Sequence, residues 1–334
     1  MSKIDKDTDF FAYVDNFAKY QHVESVRLYG QHKAVPPKVS ITIPTYRRPE
    51  LLKEAVESAI NQDGYEDYEI IIVDNDTTGE FAAQIIEMLK SFASDKVVYY
   101  RNQENIGMFG NWNRCIELAT GEWMTILNDD DVLFKHYLIS MTSNYKTANR
   151  IECCHRIFQC EDELRFCKNL QFSNNTPLLK MSTYFVYILD NFNGCQHSIL
   201  FQIEKGKLVG GFNSDFYPSA DYVFNAMYAF YFKEVYRLDQ KLCGYRVSVG
   251  ESLKPSTKFG FFRIYYLFGH FLLQKKSCIS AKVFYKLNCI YRIRMFKGSP
   301  PLKVLDLAHK CLRSLLMNKF FISNNYKNIK DVVK

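Results

Sequence analysis

Along the first 35 residues, apolar positions fall at Phe10, Phe11, Val14 and Phe17 and the stretch ends at Pro36-Pro37, which predicts a helical extension. Val39-Ser40-Ile41-Thr42-Ile43-Pro44 then alternates apolar with small polar side chains, as a short strand does. Pro49 followed by Leu51, Leu52, Ala55, Val56, Ala59 and Ile60 reads as a helix with proline in its first turn. Residues 68–73 form a nearly continuous β-branched run stopped by Asp74-Asn75-Asp76, the mark of a buried strand. Further on, 81–92 and 111–119 read as helices, and 97–100 and 123–127 as strands. From 151 to 250 the pattern changes to shorter strands and loops, with an aromatic helix near 219–231. Beyond 254 it predicts basic, aromatic helices.

This succession predicts an α/β fold, Rossmann-like, with a mainly parallel sheet flanked by helices and a basic helical C-terminal region. In such sheets ligands bind outside the carboxyl ends of the strands. The polar clusters fall at those ends: Thr45-Tyr46-Arg47, Asp74-Asn75-Asp76, residues 102–105 and Asp129-Asp130-Asp131. The expected division is an extension at 1–36, an α/β domain at 37–253 with halves 37–135 and 136–253, and a C-terminal region at 254–334.

Composition sharpens this picture at three points. The net charge of +7 is uneven, because 254–334 carries 17 Lys and Arg against Asp306 and Asp331, a net of +15 that leaves −8 for the rest. With large aromatics interleaved, that region suits either a membrane-surface helix or packing on the α/β domain or on a homodimer partner. No nucleic-acid motif accompanies the charge. The polar, acidic N-terminus reads as no secretory signal, and ten cysteines then fit a reducing cytoplasm. Cys153, Cys154, His155, Cys160 and Cys167 lack paired zinc-ligand spacing and read better as buried thiols. No run of about 18 apolar residues is long enough to span a bilayer.

The acidic run Asn128-Asp129-Asp130-Asp131 follows an apolar strand directly. Three successive carboxylates exceed what a cap needs, and hard oxygen ligands suit Mg²⁺ or Mn²⁺. Residues 39–133 resemble the family 2 glycosyltransferases of the GT-A fold. The resemblance rests on Ser40-Ile41-Thr42-Ile43-Pro44-Thr45-Tyr46-Arg47, Gln62, Glu69-Ile70-Ile71-Ile72-Val73-Asp74, Asn105-Ile106-Gly107, Asn113, Ala119-Thr120-Gly121-Glu122 and the acidic run. It implies an inverting, metal-dependent transfer of a hexose or N-acetylhexosamine from a UDP-sugar to a glycan hydroxyl. The usual pattern is Asp-x-Asp-Asp, with Asn128 at its first position here. Asp130 is the expected metal ligand, with Asp131 beside it and Asp129 at the nucleotide-sugar. Pro44, Thr45, Tyr46 and Asp74 are expected at uracil and ribose, Arg47 at phosphate, and Asn105, Gly107 and Asn113 in the same pocket. Trp112 stands where the family usually has Arg.

Inverting transfer needs a base at the acceptor hydroxyl. The segment Gly210-Gly211-Phe212-Asn213-Ser214-Asp215-Phe216-Tyr217-Pro218-Ser219-Ala220-Asp221 resembles the family's base-bearing loop and helix start, which puts Asp221 in that role with Asp215 in reserve. Residues 193–200, with His197, are expected to face the acceptor, and Arg246 the diphosphate. The implied acceptor is a lipid-linked intermediate of a bacterial surface polysaccharide, at the cytoplasmic face of the inner membrane. A sugar nucleotidyltransferase would need a Gly-rich basic phosphate loop, which is not evident. A nucleotide-sugar- or glycan-binding protein without catalysis would not need Asp221.

Overall fold

A computed structural model describes residues 4–143, 145, 148–159, 178–180, 187, 196–247, 254–275 and 279–296. The first strand, β1 (Ser25–Tyr29), precedes the alternating unit β2 (Val39–Thr45), α1 (Pro49–Ile60), β3 (Tyr68–Asp74), α2 (Ala82–Ser91), β4 (Val97–Asn102), α3 (Gly107–Leu118) and β5 (Trp123–Ile126). The second part runs β6 (Val132–Leu133), α4 (Tyr137–Thr142), β7 (Arg150–Phe158), β8 (Leu178–Lys180), β9 (Ile199–Gln202), α5 (Ile203–Leu208), α6 (Ala220–Phe232), β10 (Val235–Arg246), α7 (Pro255–Lys275) and α8 (Ile279–Phe296).

Among the described residues the strands form one sheet in the order β1-β4-β3-β2-β5-β9-β7-β10-β6, with β8 also on β10. β4, β3, β2 and β5 are parallel neighbours. Their registers place Thr45 beside Asp74 and Asp74 beside Arg101, so the strand ends line up along one edge. The pleat sorts the side chains. Val39, Ile41, Ile43, Ile70 and Ile72 join α1 and α2 in one core, while Ile71, Val73, Met124 and Ile126 join α3 and α6 in the other. β3 is buried along its whole length, which is why residues 70–73 are apolar in succession instead of alternating.

The N-terminal stretch departs from expectation. Instead of a helix it forms turns, a 3-10 turn at Ala18–Tyr20, and the edge strand β1 antiparallel to β4. The cause is local: Asp9 Oδ1 accepts the Phe11 N–H and Asp15 Oδ1 accepts the Phe17 N–H, both at 3.0 Å, bonds that compete with helical ones. Consecutive Phe10 and Phe11 are thereby both buried, Phe10 against Phe216, and both against Phe268 and Phe271.

α6 is apolar nearly all round, and its first ten residues are buried. Arg150, fully buried on β7, donates to the Asn225 carbonyl of α6 at 2.9 Å and also pairs with Glu152 and Tyr187. These contacts seat the helix that carries Asp221. α7 and α8 bury Ile264, Tyr265, Phe268, Leu272, Phe284 and Tyr285 in the same core as Phe10 and Tyr222. Of the two uses expected for this region, packing on the α/β domain accounts for those apolar faces; 297–334 lie outside the described residues. Among the described residues no helix is long and apolar enough to cross a membrane. Cys153 is buried in the core shared with α1 and α2, Cys154 is half-buried, and Cys160 and Cys167 lie outside the described residues.

Candidate active site

A cavity of about 590 Å³ opens at the carboxyl ends of β2, β3, β4 and β5. Its polar lining from the strand ends and the acidic run is Thr45, Tyr46, Arg48, Asn75, Asn105, Asn128, Asp129 and Asp130. Tyr217, Pro218, Asp221, Tyr245 and Arg246 from the second part of the chain line it too, as do Phe109 and Trp112 of α3. Residues from distant parts of the chain meet here because β5 leads into the acidic run and β6 leaves it. β6 pairs with β10 through Leu133 and Cys243, which brings the end of β10 over the run.

The three aspartates point to different partners. Asp129 Oδ2 accepts the Thr45 hydroxyl at 2.8 Å, and Arg48 Nη1 lies 3.5 Å from Asp129 Oδ1 and 3.2 Å from Asp130 Oδ2. Burial pushes the Asp129 carboxyl up to about 6, against the pull of Arg48 and Thr45. Burial and the carboxylates of Asp131 and Asp129 push Asp130 up to about 7, with Arg48 only partly offsetting them. The run is thus short of positive charge on its cavity side, which fits a divalent cation held by hard oxygens. Among the described residues no group of three or more His, Cys, Asp and Glu side chains is arranged to hold a metal. Asp129 and Asp130 would therefore supply one or two ligands, and substrate phosphate and water the others, as suits Mg²⁺ or Mn²⁺.

Asp131, expected as a second metal ligand, is fully buried and does not line the cavity. Its Oδ1 accepts the Arg246 N–H at 2.8 Å and its Oδ2 accepts Asn128 Nδ2 at 3.0 Å. His197 Nδ1 lies 3.1 Å from Oδ2, in ion-pair range but off the hydrogen-bond direction, and neither ring nitrogen makes a hydrogen bond among the described residues. Asp131 therefore ties the run to β10 and does not present itself to a ligand. The same contact explains Asn128: an Asp there would set a second carboxylate against buried Asp131, where the amide instead donates.

The other expected residues divide in the same way. Pro44, Thr45, Tyr46, Asn105, Asp129, Asp130, Asp221 and Arg246 line the cavity. Arg47 does not: it adopts φ 56° and turns outward, where Nε donates to Asp76 at 2.9 Å and Nη2 to Thr78 at 3.1 Å. Arg48, the next residue, lines the cavity instead. Asp74 sits behind the cavity wall, its oxygens accepting the Asp76 N–H and the Tyr99 hydroxyl, and burial raises its pKa. Asn113 is spent on the backbone of Phe212, donating to its carbonyl at 2.9 Å and accepting its N–H at 2.7 Å. That bond requires Gly211, whose φ is +73° and whose missing Cβ would lie 2.5 Å from Asn113 Oδ1. Gly107 stands beside the cavity and gives its carbonyl to Asn75. Asp215, the reserve base, pairs with Lys19 at 3.6 Å and does not line the cavity. Residues 193–195 lie outside the described residues, while His197 is buried and does not face the cavity.

Sequence reasoning missed Arg48, Asn75, Asn111, Tyr217, Phe261 and the cavity role of Trp112. Asn75 donates to Asn105 Oδ1 at 2.8 Å and accepts from Asn102 and the Ile106 N–H, so a chain of amides braces the strand ends. The signal for it was the asparagine after each of β3 and β4. Arg246 is anchored on three sides: its Nε donates to the Asp130 carbonyl at 2.9 Å, its Nη2 to Glu54 of α1 at 2.6 Å, and its guanidinium lies over Phe158.

Comparison with known proteins adds the relatives. A curated β-1,3-glucosyltransferase acting on GalNAc(5)-diNAcBac-PP-undecaprenol, from Campylobacter jejuni, is 26% identical over 290 residues, 83% of this chain and 87% of that protein. The abequosyltransferase RfbV of Salmonella typhimurium is 32% identical over 119 residues, 35% of each chain. Among solved structures, S. aureus TarS 1-349 in complex with UDP-GlcNAc superposes with a TM-score of 0.54 at 15% identity, over 78% of this chain and 73% of that one. The mannosyltransferase PcManGT of Pyrobaculum calidifontis, in complex with GDP-Man and Mn²⁺, gives 0.51 at 14% identity over 86% and 83%. At these identities the structural likeness establishes the α/β GT-A fold. The profile of glycosyl transferase family 2 matches residues 40–224, and with the fold and the cavity in place the chain belongs to that family.

Proposed function

We propose that this protein is an inverting, metal-dependent glycosyltransferase that moves a hexose or N-acetylhexosamine from a UDP-sugar to a hydroxyl of a lipid-linked glycan. One observation carries the reading: a single cavity is lined by Asp129 and Asp130 of the acidic run and by Asp221 of α6. Nucleotide-sugar transfer needs those two functions, charge neutralisation at the leaving group and a base at the attacking one, facing a common space.

In this reading the nucleotide lies along the strand ends, with Asn75 and Asn105 offering amides and Tyr46 a ring. Arg48 and Arg246 border the diphosphate. Mn²⁺ or Mg²⁺, when bound at Asp129 and Asp130, offsets the charge that builds on the departing diphosphate. Asp221 accepts the proton of the acceptor hydroxyl as that oxygen attacks the anomeric carbon. The new C–O bond forms on the face opposite the breaking bond to UDP, so the configuration inverts and no covalent enzyme intermediate is needed. Phe109 and Trp112 add apolar surface to the same cavity.

The lipid-linked acceptor is supported by the undecaprenol-linked substrate in the name of the Campylobacter relative, and the UDP donor by the TarS complex with UDP-GlcNAc. A cytoplasmic-face location matches the outward side of α8, where Ile279, Val283 and Ile290 stand exposed among Lys282 and Lys286. That mixture suits an anionic lipid surface. Co-sedimentation with phosphatidylglycerol vesicles, absent with phosphatidylcholine alone, is the expected result. For the activity itself, UDP-Gal, UDP-Glc, UDP-GlcNAc and UDP-GalNAc are each incubated with the protein and Mn²⁺ and free UDP is measured. Metal-dependent release from at least one is expected, and release from none would leave a binding protein.

A further inference from the structure

The C-terminal helix contributes to the cavity. Thr257 and Phe261, one helical turn apart on α7, reach the wall that holds Tyr217, Pro218 and Asp221. The contact between the two segments is close. The hydroxyls of Tyr217 and Thr257 are 3.3 Å apart, and Thr257 is buried. Gly260 rests on the Pro218 ring so tightly that a Cβ there would lie 2.6 Å from Pro218 Cδ. A glycine at this point lets α7 approach and brings the next residue, Phe261, to the cavity.

The chemistry of this wall differs from that of the donor side. The strand ends and the acidic run contribute amides, carboxylates and a guanidinium, whereas here aromatic surface adjoins two hydroxyls and one carboxylate. A pyranose ring has the matching character: a C–H-rich face that packs on an aromatic ring, and a rim of hydroxyls that need partners.

We propose that Phe261 and Tyr217 seat the acceptor's terminal sugar ring and, with Thr257, select which acceptor is used. The inference rests on the reading of Asp221 as the base, since the attacked hydroxyl must reach its carboxylate. Acceptor choice then resides in α7 as well as in the 136–253 half.

The test uses the full chain with its best UDP-sugar, Mn²⁺ and, as probe acceptors, octyl glycosides of glucose, galactose, GlcNAc and GalNAc. Phe261→Ala is expected to raise the acceptor KM about tenfold while the donor KM, read from acceptor-free UDP release, moves less than twofold. Phe261→Tyr should restore the acceptor KM, and Thr257→Val should change the ranking of the four glycosides. Thermal melting of each variant checks folding. An unchanged acceptor KM in Phe261→Ala would overturn the proposal, as would an equal rise in donor KM. So would failure of all four glycosides as acceptors while UDP release proceeds. Absence of UDP release from the wild type would instead overturn the transferase reading on which the proposal stands.

Discussion

Replacing Asp131 by Ala separates the two roles that an aspartate in the acidic run can have. As a metal ligand, Asp131 would matter to turnover and little to folding. In the structure it is fully buried and accepts two hydrogen bonds, from the Arg246 N–H and from Asn128 Nδ2, with His197 Nδ1 at 3.1 Å. The Ala variant leaves those two donors without an acceptor. Each orphaned donor costs about 1–3 kcal/mol, so the sum is roughly 2–6 kcal/mol, toward the lower end because Asn128 is only half-buried. For a chain of this size the melting temperature falls roughly 2 °C per kcal/mol, which gives a drop of about 4–12 °C. Differential scanning fluorimetry at pH 7.5, with and without Mn²⁺, reads this directly. Asp131→Asn keeps an oxygen for the Arg246 N–H and should lose less. A melting temperature within about 2 °C of wild type, combined with loss of the Mn²⁺-induced shift, would refute the reasoning and return Asp131 to the metal.

Three further outcomes follow from the same geometry. Asp130→Asn should abolish transfer yet raise the metal-free melting temperature at pH 8. The folded-state pKa of Asp130 lies near 7, above its unfolded value, so its ionised form penalises the fold above that pH and the penalty fades as pH falls toward 4. Unchanged or lower stability at pH 8 would show that the carboxylate is not in repulsive surroundings. Mn²⁺ affinity, followed by isothermal titration, should weaken between pH 8 and pH 5.5, because protons hold Asp130 near 7 and Asp129 near 6; a flat profile would place the metal elsewhere. Gly211→Ala should destabilise by at least about 1–2 kcal/mol in urea denaturation, since φ is +73° and the new Cβ meets Asn113 Oδ1 at 2.5 Å. A neutral result would mean that the loop before α6 tolerates rearrangement.

Much of the donor half was legible because its order follows from local pattern. The continuous apolar run at β3 and the alternation at β2 imply which faces are covered, and strand ends in a parallel sheet collect ligands by topology. Side-chain direction at those ends was not legible. Arg47 and Arg48 are adjacent and alike in composition, and only the left-handed turn at Arg47 sends one outward and the other inward. Asp131 likewise differs from Asp130 through the pairing of β6 with β10, a contact between segments more than 100 residues apart. The N-terminal segment misled because aspartate side chains bonding nearby backbone replace helix without changing the apolar spacing. The aromatic residues of 254–275 carried no sign that Phe261 would line the cavity beside Thr257, since the approach depends on a glycine meeting a distant proline ring.

The account stands on Asp130 and Asp221 acting across one cavity. The most direct measurement is Mn²⁺-dependent UDP release and acceptor glycosylation by wild type, Asp130→Ala and Asp221→Ala, with donor affinity read in parallel. The account predicts that both variants lose transfer and that only Asp130→Ala loses Mn²⁺-dependent donor binding. Full transfer by Asp221→Ala, or undiminished metal-dependent donor binding by Asp130→Ala, would contradict it.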